Sequence, residues 1–264
     1  MKKDLPESFT ENFSDTATGR FFFDVAQLSS FSFRFLKEII TPPYEFSETI
    51  RQSFLIGCNS LPLVGVTGFI MGLVLTIQSR PTMVEFGAEA WIPAMVGVSI
   101  VREIGPVVTA LICAGKISSG IGAELASMRI TEQIDAMEVS GTNPFKYLVA
   151  TRVLGTTLMV PLLVIFADTI ALFGSFLGVN IEGDVSFQLF FSHVFNSLDF
   201  HDIIPAVIKT FFFGWAIGII ACFKGYYSNE GTEGVGKASN MSVVLASLMI
   251  FIIDMIAVQV TNLM

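Results

Sequence analysis

Arg102, Glu103, Asp168, Lys209 and Asp254 stand inside stretches of the chain that are otherwise almost wholly apolar. Such groups can bind a charged or zwitterionic cargo, relay protons, or pair with one another to fix helix register. In hydrocarbon each costs at least about 2.5 kcal/mol unless it meets a partner or water. At a helical rise of about 1.5 Å per residue, Lys209 lies about 9 Å below one membrane surface and Asp254 about 10 Å below the same one. Asp168 falls in that same half, and Arg102 with Glu103 near the middle. The five are therefore expected to line one substrate pathway, a water-accessible cavity. Arg102 and Glu103 are neighbours and point about 100° apart, so both should reach other helices. Pro106 removes the amide that would bond the Arg102 carbonyl, which predicts a kink where these charges sit.

No other motif offers catalysis. Gly231 to Ala238 (GTEGVGKA) stops one residue short of the phosphate-binding G-x-x-x-x-G-K-[ST] pattern. Ala238 has no hydroxyl for magnesium and an apolar run precedes the segment, so it reads as a flexible loop. His193 and His201 lack zinc-site spacing, and Cys58, Cys113 and Cys222 fall in apolar runs at unrelated spacings. The chain is expected to be a non-enzymatic transport subunit that binds no cofactor or metal. Any ATP and magnesium would be handled by a partner.

Apolar residues make up 52% of the 264-residue chain and charged ones only 14%, which points to an integral membrane protein. The net charge of −8 argues against a nucleic-acid partner. Five runs are long enough to cross a bilayer: Phe54 to Gln78, Trp91 to Ala114, Val153 to Val179, Ile203 to Phe223, and Met241 to Val260. The fold class is therefore all-α and polytopic. Lysines and arginines in the connecting segments divide twelve to one, with Lys2, Lys3, Arg20, Arg34, Lys37 and Arg51 ahead of the first span and Arg80 alone on the opposite side. This asymmetry puts the N-terminus in the cytosol and the C-terminus outside. The polar first twenty residues carry no secretory signal. The pairs Gly68/Gly72, Gly174/Gly178 and Gly214/Gly218 have the spacing of close helix contacts, expected within the chain.

Residues 1–53 form a cytosolic N-terminus. Phe21, Val25, Leu28, Phe35 and Ile39 share one helical face there, with Asp24, Gln27, Arg34 and Lys37 elsewhere, as in an interfacial helix along the inner leaflet or a helix packed on the bundle. Thr41-Pro42-Pro43 ends it. Between the second and third spans, "GAELASMRITEQIDAMEVSG" (Gly122 to Gly141) reads as a short amphipathic cytosolic helix. Thr131 is its expected N-cap and Gly141 its stop; Ile130, Ile134 and Met137 form one face, while Glu132, Asp135 and Glu138 form the other. A helix this short is marginal alone, so it must dock beneath its own bundle or on a partner.

The block from Arg102 to Gly155 (REIGPVVTALICAGKISSGIGAELASMRITEQIDAMEVSGTNPFKYLVATRVLG) closely resembles the signature of the MlaE (YrbE) family, permeases of ABC transporters that move phospholipids with MCE-domain partners. The resemblance extends to Val207–Gly214, Lys224–Ala238 and the last span, so that residues 54–264 form the permease domain. It implies a homodimer with five spans per subunit, a cytosolic ATPase, a periplasmic MCE-domain protein, and a small cytosolic STAS-type subunit. It implies that residues 123–140 act as a coupling helix, with Glu124, Met128, Arg129, Glu132, Asp135, Met137 and Glu138 facing the ATPase. It further implies that charges matching Arg102, Glu103, Lys209 and Asp254 lie beside a lipid cavity.

The expected function is that of a bacterial inner-membrane permease moving phospholipid to or from an MCE-domain partner and so maintaining outer-membrane lipid asymmetry. Two alternatives stand beside it: a proton-coupled secondary transporter using the buried carboxylates, and a membrane scaffold that moves nothing.

Overall fold

The computed structural model describes residues 17–42, 44–181, 183–228, 231–261 and 263, with side chains from residue 23 onward. Lys2, Lys3, Pro43, Glu182 and the side chains of Arg20 and Phe21 lie outside the described residues. The chain divides into two units that meet between Tyr44 and Glu45. The described part of the first is helix α1 (Ala17–Ile40) and the few residues that follow it.

The second unit holds α2 (Phe46–Glu85), α3 (Glu89–Ile130), α4 (Gln133–Val139), α5 (Phe145–Asn180), α6 (Phe187–Ser197), α7 (Phe200–Tyr226) and α8 (Gly231–Thr261). Among the described residues there is no strand. Helices α2, α3, α5, α7 and α8 are long and apolar enough to cross a membrane, which makes the chain a multi-pass membrane protein. A helix satisfies its own backbone there without water.

α2 packs chiefly on α5, α5 also on α7, and α7 on α8. The α4 end of α3 lies against both α7 and α8, and its opposite end holds α6. The expected glycine contacts all fall within the chain. A Cβ at Gly72 would stand 1.9 Å from the Ala171 carbonyl oxygen, and one at Gly174 2.3 Å from that of Phe69. Backbones this close gain dispersion that larger side chains would forbid.

Every span overshoots the expected limits, because the helices continue past the apolar run. The Gly231–Ala238 stretch is helix rather than flexible loop: Gly234 and Ala238 are buried, Ser239 Oγ meets Ser119 Oγ at 2.8 Å, and a Cβ at Gly122 would stand 3.3 Å from the Ala238 carbonyl oxygen. Its small residues let α8 seat on α3. Thr131 is not an N-cap, because α3 runs unbroken from the membrane to Ile130 and Thr131 Oγ1 donates back to the Ser127 carbonyl.

The break falls instead at Glu132, the only non-glycine with positive φ (58°) among the described residues. Gly141 is the stop as expected: its φ is 83°, its N–H bonds to the Glu138 carbonyl and that of Thr142 to the Met137 carbonyl, which is a Schellman closure.

Candidate functional site

α3 carries a π-helical turn at Ile100–Ile104, closed by the Gly105 N–H on the Ile100 carbonyl. Pro106 follows at once and leaves the Arg102 carbonyl without its usual amide, so the ladder loosens around Arg102 and Glu103. Both side chains then reach α7, in opposite directions along it. Arg102 Nη1 lies 3.4 Å from Asp202 Oδ1 in the first turn of α7, and Glu103 Oε2 lies 2.6 Å from Lys209 Nζ two turns further in. Arg102 thus points to the α6 end of the bundle rather than its middle. Its long side chain allows that, and Asp202, just ahead of the expected fourth span, receives it. Asp202 also caps α7, its Oδ2 accepting the Asp199 N–H at 3.4 Å.

Lys209 donates to two carboxylates, Glu103 Oε2 at 2.6 Å and Asp254 Oδ1 at 3.0 Å. The matching depth of Lys209 and Asp254 therefore becomes direct contact between α7 and α8. The lysine side chain is 4% exposed, Asp254 19% and Glu103 37%. The cation is sealed while its partners grade towards accessible space. A gap of about 10 Å³, roughly one water, lies among Arg102, Glu103, Asp202 and Lys209.

Lys209 also borders a cavity of about 600 Å³ between α7 and α8, with His201 and Thr261 the other polar side chains in its lining. Ile204, Ile208 and Phe212 wall one side, Ile253, Ile256 and Val260 the other. The volume suits a small-molecule site, and its apolar walls suit hydrocarbon. Asp168 does not join this group: it borders a different cavity of about 190 Å³ between α5 and α7.

At the α4 end, Glu124 Oε1 pairs at 2.9 Å with Arg152 Nη2, whose side chain is 3% exposed, and Arg152 Nη1 donates to the Leu148 carbonyl at 3.0 Å. This bond ties the end of α3 to the base of α5. Glu48 of α2 accepts from Gln52 and, at 3.4 Å, from the Tyr147 hydroxyl of α5. Ile134 is fully buried, Met128 and Met137 are half-buried, and Glu132, Asp135 and Glu138 are exposed, with Arg129 paired to Asp135. Arg152 and Val139 escaped sequence reading. Arg152 is one of the twelve cations counted on the N-terminal side, and its place at the head of the third apolar run was the available signal. Val139 is an apolar side chain left 91% exposed at the tip of α4.

Residues 49–260, from α2 through almost all of α8, match the family described as Permease MlaE. The chain is 41% identical over 235 residues to a probable ABC transporter permease protein of Rickettsia prowazekii, covering 89% of this chain and 91% of that one. It is 34% identical over 224 residues to a probable ABC transporter permease protein of Pyropia yezoensis, 85% of each chain. It is also 34% identical over 213 residues to the intermembrane phospholipid transport system permease protein MlaE of Haemophilus influenzae, covering 80% of this chain and 81% of that one.

Proposed function

This chain belongs to the MlaE permease family of ABC transporter permeases, and from that premise we propose that it moves phospholipid between a bacterial inner membrane and an MCE-domain partner, so maintaining outer-membrane lipid asymmetry. The observation that carries this reading is Lys209, held by Glu103 and Asp254 and set in the wall of the 600 Å³ apolar cavity. An amphiphile needs both surfaces at once. Acyl chain lies against Ile208, Phe212 and Ile256, while the headgroup meets the wall at Lys209.

The α4 end is the cytosolic one in this reading, and the C-terminus is periplasmic. α4 and the end of α3 form the coupling element on which a separate ATPase closes, through Glu124, Met128, Arg129, Glu132, Asp135, Met137 and Glu138. Movement there passes to α5 through the Glu124–Arg152 pair. ATP and magnesium belong to that subunit, and a STAS-type protein completes the cytosolic side. The most apolar window of α8 is only 17% buried, against 56% in α5 and α7, and this open face supports a homodimer with the cavity near its seam. α1 lies along the cytosolic leaflet.

The test is ATP-dependent transfer of labelled phospholipid from vesicles holding the permease and its ATPase to an MCE-domain acceptor. Lys209→Ala is expected to abolish transfer, and so is the neutral triple variant Glu103→Gln, Lys209→Ala, Asp254→Asn, which removes the charges without stranding any. Transfer by the folded triple variant would remove the cluster from the pathway. Movement driven by a proton gradient with an inactive ATPase would identify a secondary transporter, and no movement under either condition a scaffold.

A further inference from the structure

We propose that the cavity beside Asp168 is a second subsite, separate from the one at Lys209, and that it accepts the ammonium of an amine-bearing lipid headgroup. The proposal rests on the lipid-carrying reading above. The two cavities lie on different faces of α7: Ile204, Ile208 and Lys209 border the larger, Ala206, Val207 and Thr210 the smaller. A ligand in one does not occupy the other.

Asp168 differs from every other acid nearby. Glu103, Asp202 and Asp254 each meet a cation, whereas among the described residues Asp168 has no hydrogen bond or ion pair, and its Oδ1 is buried without a partner there. A carboxylate kept only to hold helices together would be paired, because an unpartnered one costs stability. The fold also makes room for it: a Cβ at Gly105 would stand 1.8 Å from Oδ1, so the helix leaves out a side chain where the carboxylate sits. Around this part of the bundle two cations, Arg102 and Lys209, face four carboxylates, Glu103, Asp168, Asp202 and Asp254. Both cations are already taken by the other three acids, which leaves Asp168 to a donor from outside the bundle.

The walls say which kind. Beyond Asp168 the polar side chains bordering the cavity are Thr169 and Thr210, and both spend their hydrogens on their own helix, Thr169 on the Ile165 carbonyl at 2.8 Å and Thr210 on that of Val207 at 2.6 Å. Their remaining lone pairs accept. A site offering acceptors in an apolar frame complements a charged donor, and a primary ammonium supplies three N–H groups. A hard metal ion would require about six or more oxygens, which these side chains do not provide. Ile165, Thr169 and Phe195 are exposed at its border, so the cavity opens on the side of the bundle.

The permease with its ATPase, drawn from vesicles of equal phosphatidylethanolamine and phosphatidylglycerol, is examined by native mass spectrometry for bound lipid. The wild-type protein is expected to hold phosphatidylethanolamine in excess, and Asp168→Asn to lower the ratio of the two lipids about tenfold, the size of one charge-assisted hydrogen bond. Lipid bound by the wild type without preference, which needs no variant to observe, overturns the subsite and leaves the transport reading standing. An unchanged ratio in Asp168→Asn also overturns it. Absence of any bound lipid overturns both.

Discussion

From Phe213 to Tyr226, α7 is buried at almost every position and its glycines touch backbone; from Phe200 to Thr210 the same helix carries charge and borders a cavity on each of two faces. In the first half a Cβ at Gly214 would come within 2.5 Å of the Thr156 carbonyl oxygen, and one at Gly218 within 2.2 Å of Thr156 Oγ1. In the second, Ile204 and Ile208 are more than half exposed. Close packing transmits displacement because it has no slack. Loose packing with paired charges accommodates a guest. One helix thus joins a stiff end, beside the α3–α4 break, to an open end where the ion cluster stands.

The sharpest way to break this contrast is at the stiff end. Gly214→Leu drives a side chain into backbone that no rotamer can avoid, and is expected to cost about 3 kcal/mol or more, read as loss of the thermal transition of the solubilised protein. A variant that melts normally would deny that this half is rigid. At the open end Lys209→Ala should cost a similar 3–5 kcal/mol or so, since it strands two carboxylates. There, however, the neutral triple variant should recover near wild-type melting while transfer stays absent. That recovery separates removable charge from irreplaceable packing.

A smaller effect is expected where the stiff end meets its partner. Glu132→Lys with Asp135→Lys should weaken association with the ATPase about tenfold while leaving the melting temperature unchanged, measured by co-purification and calorimetry. Unchanged ATPase binding would remove α4 from the coupling path. Smallest of all is Glu132→Gly, which relieves a left-handed residue and should raise stability by about 1 kcal/mol in thermal denaturation. A fall would show that the Glu132 side chain itself holds the break.

The five crossings were legible because lipid demands an apolar run of known length, and the depth of Lys209 against Asp254 was legible because helical rise is constant. Span ends were not, since beyond the hydrocarbon nothing in composition separates helix from loop: Gly231–Asn240 is polar, glycine-rich and helical all the same. Depth without rotation also grouped Asp168 with the cluster, although α5 presents it to another cavity. Asp202 and Arg152 were missed for a related reason. Loop-charge counting assigns a residue to a side of the membrane and says nothing of whether its side chain turns back into the bundle.

The loosened turns at Ile100–Ile104, Ala114–Ser118 and Phe145–Ala150 each contain one residue more than an α-helix of the same rise. For chain length this makes them the places where a single-residue deletion is absorbed. Removing one residue from Ile100–Ile104 closes the ladder into ordinary α-helix and leaves both flanking segments on their original faces. Arg102 and Glu103 would turn by up to about 100° away from α7. A relative one residue shorter at this point would keep the bundle and lose its contact with Lys209, so an alignment gap there carries more meaning than a substitution.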